Sequence, residues 1–166
     1  VLIKMLYENY EQVVANVKKA CERSGRNFQD ITIIAVSKTK PLSDVEELLS
    51  HGVMEFGENK VQEMVDKYEH VSKPVHWHLI GHLQTNKVKY IVDKACLIHS
   101  VDSVHLAKEI EKEAAKKGVV AKVLLEVNIA QEETKFGIRE DEVYALIDAI
   151  KDMPHVHVMG LMTIAP

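Results

Sequence analysis

The 166-residue sequence predicts an α/β protein built on a parallel sheet, either doubly wound or an incomplete β/α barrel. Three observations carry this. Strand-like and helical patterns alternate through five repeats and end on a sixth strand, with strand starts roughly 20–35 residues apart, the length of a βα unit. The first run, Ile31-Thr32-Ile33-Ile34-Ala35-Val36, is nearly continuous in β-branched and aliphatic residues, as in a strand buried on both faces. No Gly-x-Gly-x-x-Gly follows it, which weighs against dinucleotide binding.

Each element has a local reason. Residues 3–24 carry Leu6, Tyr10, Val13, Val14, Val17 and Ala20 at helical spacing, with Gly25 as the C-cap. The first strand closes near Ser37 or Lys38, because Pro41 lacks a backbone donor and holds Lys40 extended. Ser43-Asp44-Val45-Glu46 fits a capping box for a helix to about His51, with Gly52 after it. Residues 53–56 read as the second strand, and Gly57-Glu58-Asn59 leads into a helix over 60–69. Residues 75–80 form the third strand, closed by Gly81, and 84–92 the next helix. The fourth strand spans 95–101; Asp102 or Ser103 then caps a helix to Lys117, ended by Gly118. The fifth strand covers 119–127, a loop 128–137, a helix 140–150, and the sixth strand 156–161. No low-complexity or Gly/Ser/Pro-rich linker interrupts the pattern, so residues 1–166 read as a single domain.

Composition narrows the function. A net charge of −4 and a pI near 6.1 give no basic face for nucleic acid, and the densest basic cluster, residues 86–90, holds two lysines. No apolar run is long enough to span a bilayer, and no segment reads as a signal peptide. Two cysteines, Cys21 and Cys96, suit a reducing cytoplasm better than a disulfide framework. The expectation is a soluble cytoplasmic protein.

The informative residues lie just past the strands, where parallel sheets build their sites. Alternation puts Lys38 on the face of Val36 and Ile34, an apolar setting that would keep more of the amine neutral and able to attack an aldehyde. Glu58, at a helix start, is expected to favour the helix dipole. Asn128 fits a turn-former or a ligand contact equally. His76 and His78 share a strand face and His82 follows, but no carboxylate or cysteine at metal spacing joins them, so no metal site is expected. Cys96 reads as a small apolar residue.

Four segments together resemble a known family: Ala35-Val36-Ser37-Lys38-Thr39-Lys40-Pro41, Phe56-Gly57-Glu58-Asn59-Lys60-Val61-Gln62-Glu63, residues 76–87 (His-Trp-His-Leu-Ile-Gly-His-Leu-Gln-Thr-Asn-Lys), and Gly160-Leu161-Met162-Thr163-Ile164. Their order and spacing are similar to the pyridoxal-phosphate homeostasis proteins, which resemble the barrel domain of alanine racemase. The resemblance implies a TIM-like β/α barrel with a leading helix, six of its eight strands present here. It implies pyridoxal 5′-phosphate as cofactor, carried as a Schiff base on Lys38. By the same resemblance Asn59 lies beside the cofactor, Met162 lines its ring, Asn86 belongs to a signature loop, and Lys135 stands near the mouth. The implied role is cofactor homeostasis without catalytic residues, with pyridoxal-phosphate-dependent apo-enzymes as recipients. Two other readings stand beside it. An amino-acid racemase would need a second acid–base group, which the related enzyme takes from an added β-domain. A cofactor-free interaction protein would need none. The family's last two strands, with the phosphate cradle and an arginine at the ring nitrogen, have no counterpart here. The expectation is a barrel cut after strand six, completed by roughly 50–70 further residues, about two βα units, or by a partner chain.

Overall fold

The computed structural model describes residues 5–133 and 135–166. Six strands form one parallel sheet: β1 (Ala35–Val36), β2 (Glu55–Glu58), β3 (His76–Leu79), β4 (Ala95–Val101), β5 (Ala121–Glu126) and β6 (Val156–Met162). Their spatial order is their chain order, β1-β2-β3-β4-β5-β6. A doubly wound sheet reverses direction at a switch point, whereas a barrel wall does not. The sheet is therefore a barrel wall.

Helices α1 (Leu6–Ser24), α2 (Leu42–Ser50), α3 (Val61–His70), α4 (Val88–Ile91), α5 (Val104–Lys117) and α6 (Val143–Ile150) complete the layers. Right-handed crossovers that always step in one direction place α2 to α6 on one face of the sheet. Their apolar stripes meet that face in a single core. Val45, Met64, Ile91, Ile110 and Ile150 from the helices pack with Phe56, Trp77, Leu79, Ile98 and Leu125 from the strands. Phe56 and Trp77 are neighbours in register on β2 and β3, their rings 5.9 Å apart and tilted by 44°.

Several boundaries follow the sequence pattern closely. Strand β4 occupies the predicted residues, Ser103 caps α5 by accepting the Leu106 N–H, and Gly25 and Gly118 close α1 and α5 with positive φ. Other boundaries differ for physical reasons. Only Ala35 and Val36 of the predicted first strand pair, because β1 is an edge with β2 as its one partner. It is not buried on both faces either, since Val36 is 49% exposed. The expected capping box does not form: Pro41 occupies the N-cap of α2, and no side chain caps that end. The helix expected over 84–92 is a 3-10 turn, Thr85–Lys87, running into the short α4.

Phe56 has no solvent exposure and lies at the contact between sheet and helices. Replacing it with alanine is expected to cost about 3–5 kcal/mol, the usual range for emptying a buried aromatic site. Urea denaturation of the full-length variant, at constant m-value, measures this.

Candidate functional site at the carboxyl edge of the sheet

Parallel strands bring every strand-to-helix loop to the same edge. Lys38 follows β1, Asn59 follows β2, His82 follows β3, Lys135 lies in the loop after β5, and Met162 ends β6. Lys38 and Asn59 belong to neighbouring strands. Lys38 and Met162 belong to opposite edges, with four strands between them along the wall.

The turn carrying Lys38 is held from both sides. Ser37 donates its N–H to the Gly57 carbonyl at 2.9 Å, and its own carbonyl accepts the Lys40 N–H at 3.1 Å, closing a four-residue turn. Thr39, at the third position, has φ +62°, rare for a β-branched residue. Its N–H donates to Glu63 Oε2 at 2.7 Å. Behind the turn the Lys67 ammonium is buried and donates to the Ser37 carbonyl (2.7 Å), Glu58 Oε2 (2.9 Å) and Glu63 Oε2 (2.9 Å). The Ser37 hydroxyl bonds the same Glu58 oxygen. Burial pushes the Glu58 carboxyl above its usual range, against the opposing pull of Ser37 and Lys67. Burial also pushes Glu63 upward, but hydrogen bonds from Lys67 and Thr39 outweigh it and hold that carboxyl below its usual range.

This corrects two expectations. Glu58 does not begin a helix; it ends β2, fully buried on the helix-facing side, where it bonds Ser37 and Lys67. Lys38 itself is exposed, on an edge strand that leaves Val36 open to solvent, and is not set among apolar neighbours as expected. Sequence reasoning also passed over Lys67. The Glu63/Lys67 spacing of four residues on one helix was the available signal.

Glycine shapes the opposite face. A Cβ on Gly57 would approach Ile34 Cγ2 to 3.1 Å and Ile80 Cδ1 to 3.3 Å. At Gly81 a Cβ would come within 2.4 Å of both the backbone oxygen and Oδ1 of Asn59. The close approach of glycine there is what lets Asn59 settle against the β3 loop. Asn59, Gln62, His82, Gln84 and Lys87 line a cavity of about 300 Å³. Asn86 lies exposed on the 3-10 turn and is not part of that lining.

A second group surrounds Lys135. Glu126, Asn128, Lys135, Phe136 and Ile164 line a cavity of about 180 Å³, and Met162 pairs in register with Glu126. Burial raises the Glu126 carboxyl, with Asp102 adding like-charge repulsion. Asn128 forms a turn within that lining: its side chain donates to the Glu132 carbonyl at 2.7 Å and accepts the Glu132 N–H at 3.3 Å. The Phe136 ring stacks on His82 at 4.0 Å, tying the β5 loop to the β3 loop across the mouth.

Deeper on this face, His76 and His78 join Glu55 and His99, a histidine the sequence did not single out, in a chain across three strands. Glu55 Oε1 accepts from His78 Nε2 at 3.3 Å, and Glu55 Oε2 is bonded to His76 Nδ1. A neutral His78 then has a bare Nδ1, so the His99 Nε2–H donates to it at 2.9 Å. Burial lowers both imidazoles, and His99, also facing His78, falls to about 4. Among the described residues no group of three or more His, Cys, Asp or Glu is arranged to hold a metal. Cys96 in β4 is half-buried, its thiol raised to about 11 by burial and by the Glu55 charge.

A parallel β/α wall with a lysine, an asparagine and glycine-cleared space at its carboxyl edge is the arrangement of a defined class. Residues 9–166 match the family described as alanine racemase, N-terminal domain. Within that class the chain belongs to the pyridoxal phosphate homeostasis protein family. It is 44% identical over 160 residues to the pyridoxal phosphate homeostasis protein of Aquifex aeolicus, covering 96% of this chain and 70% of that one. The Escherichia coli K12 protein of the same name is 36% identical, with 94% and 68% covered. Among solved structures, PipY of Synechococcus elongatus with PLP bound superposes with a TM-score of 0.76 at 32% identity, covering 92% of this chain and 71% of that one. A Bifidobacterium adolescentis protein gives 0.90 at 28% identity, with 99% and 73% covered. Alanine racemase of Clostridium difficile, at 17% identity and a TM-score of 0.70 over 82% of this chain and 38% of that one, shares the fold.

The buried histidines generate a pH prediction. An unfolded His99 takes up a proton near 6.5 and the folded one only near 4, so stability is lost as pH falls through that window. The His99 share is about 3 kcal/mol. Glu58 and Glu126, with raised values, contribute with the opposite sign, losing stability as pH rises through their folded values. Urea midpoints of the full-length protein and its His99→Leu variant, compared from pH 7 to 4, separate the two. The wild type should lose the larger increment, and parallel curves would contradict the assignment.

Proposed function

We propose that this chain binds pyridoxal 5′-phosphate through Lys38 and serves the intracellular balance of that cofactor rather than turning over a substrate. The observation that carries the reading is the Lys38 turn, a lysine fixed by its neighbours at the carboxyl edge of a barrel wall in this family. The cofactor supplies an aldehyde, which condenses with an amine and releases water. The residues present fit such a group. Lys38 offers an accessible amine, and Asn59 a polar contact set by Gly81. Met162 offers a flexible apolar contact, and Lys135 a cation at the mouth. Asn86, on the loop after β3, is the remaining member of the proposed set.

A role in carrying and delivering the cofactor, with apo-enzymes as recipients in the cytoplasm, is supported by the relatives' name and by the placement of the tyrosines. All five lie on helices and none at a strand end, where a second acid–base group for racemisation would have to act. No helix among the described residues is long and apolar enough to cross a membrane. We propose further that residues 1–166 act as part of a closed barrel. Edges β1 and β6 leave backbone groups unpaired, with Val36 49% and Leu161 60% exposed, surfaces that a further segment or a partner chain would cover.

Borohydride reduction of the full-length protein loaded with pyridoxal 5′-phosphate, followed by peptide mapping, tests the assignment. The label is expected on Lys38. Lys38→Ala should lose the visible band and retain at least tenfold less cofactor on dialysis, while Lys40→Ala should keep both. A label on Lys40 would contradict this, and rapid, stereospecific racemisation of a common amino acid would promote the enzyme reading.

A further inference from the structure

We propose that Lys67 is a positioning residue for Lys38: a buried ammonium that fixes the peptide groups on either side of the cofactor-binding lysine. The inference rests on the reading of Lys38 given above and adds to it the device that aims its side chain. A lysine ammonium has three protons to donate. All three are used here, on the Ser37 carbonyl, Glu58 Oε2 and Glu63 Oε2, at 2.7–2.9 Å. One bond reaches the residue before Lys38 directly. A second reaches the residue after it through Glu63, which accepts the Thr39 N–H at 2.7 Å. The third holds Glu58, whose shared oxygen also bonds the Ser37 hydroxyl.

A purely stabilising ion pair has no need of this placement. Lys67 is 4% exposed and Glu58 has no exposure, so both charges are held away from water, an arrangement costly enough to be retained for a geometric reason. Glu58 Oε1 has no hydrogen-bond partner and is buried, so the cluster is not built for maximal satisfaction. What it does satisfy is the turn. Thr39 occupies a left-handed conformation that a β-branched residue enters only when its surroundings impose it. With Ser37 tied to β2 and Lys67 and Thr39 tied to Glu63, the backbone at Lys38 has little freedom, so its Cα–Cβ direction is set before any ligand arrives. An amine aimed in advance meets a carbonyl carbon without the orientational loss that a mobile turn would carry.

The test uses the full-length protein with Lys67→Met, which keeps an unbranched side chain of similar length and removes the charge, and Glu63→Ala, whose side chain is one-quarter exposed. In the unloaded protein, amide hydrogen exchange at Thr39 and Lys40 should quicken at least tenfold in both variants while β4 stays as protected as in the wild type. On loading with pyridoxal 5′-phosphate, release by dialysis should be at least tenfold faster, and the pH at which the visible band is half-lost should move by more than half a unit. Exchange at Thr39 and Lys40 unchanged, or retention within twofold of wild type, overturns the proposal. If Lys67→Met does not fold, Glu63→Ala decides by the same readings. Borohydride mapping of the wild type separates the two levels. A wild-type label away from Lys38 removes the cofactor assignment itself, whereas a Lys38 label with indifferent variants removes only the role of Lys67.

Discussion

The parallel ladder is the constraint on which everything else in this molecule rests. A parallel strand cannot be reached by a tight hairpin, so each strand must hand the chain to a crossing element that returns it to the starting edge. Five such returns, all stepping the same way, set the crossing helices on one face and leave the other to strand side chains, with Tyr10 of α1 approaching Glu55 and His76 at its lower end. They also gather every strand-to-helix loop at one rim. That geometry brings Lys38 and Asn59 to neighbouring loops and Phe136 within reach of His82, and the local turns then set how each side chain sits.

Two polar systems inside this frame answer burial differently. On the helix side, charge is kept and surrounded: Lys67 spends every proton on oxygen, and Glu58 and Glu63 divide the counter-charge. On the opposite face, charge is avoided: His78 and His99 are held neutral, and a single carboxylate, Glu55, orders the chain of protons from the outer His76 inward. The first fixes backbone, since its bonds end on peptide groups. The second fixes side chains across strands β2, β3 and β4.

Most of the architecture was legible in the residues because each element is locally consistent. Glycines at the ends of α1 and α5, a serine cap on α5 and the apolar run of β4 all agree with their final states. The failures came where tertiary context decides. Nothing in the Ile31–Val36 run says that it lies at a sheet edge, so the run predicts more pairing than its two bonded residues make. Glu58 stands between a strand and a helix, and its pairing with Leu79 and its bonds to Ser37 and Lys67, all distant in sequence, make it a buried strand residue. Lys38 draws notice by its place after a strand and Asn59 by the family resemblance, whereas Lys67 is hidden on a helix among ordinary charged residues.

The thiol of Cys96 has a use of its own. At about 11, its ionisation leaves roughly one molecule in ten thousand as thiolate at neutral pH, and the thiolate is the reactive form. The residue lies in the central strand β4 on the sheet that supports the rim. An alkylating reagent therefore acts on it slowly at neutral pH, and faster in proportion to the thiolate as the pH is raised toward 11. Cys96 is thus a quiet thiol set within the barrel wall, whose rate of capping reports how firmly burial there holds the proton on sulfur.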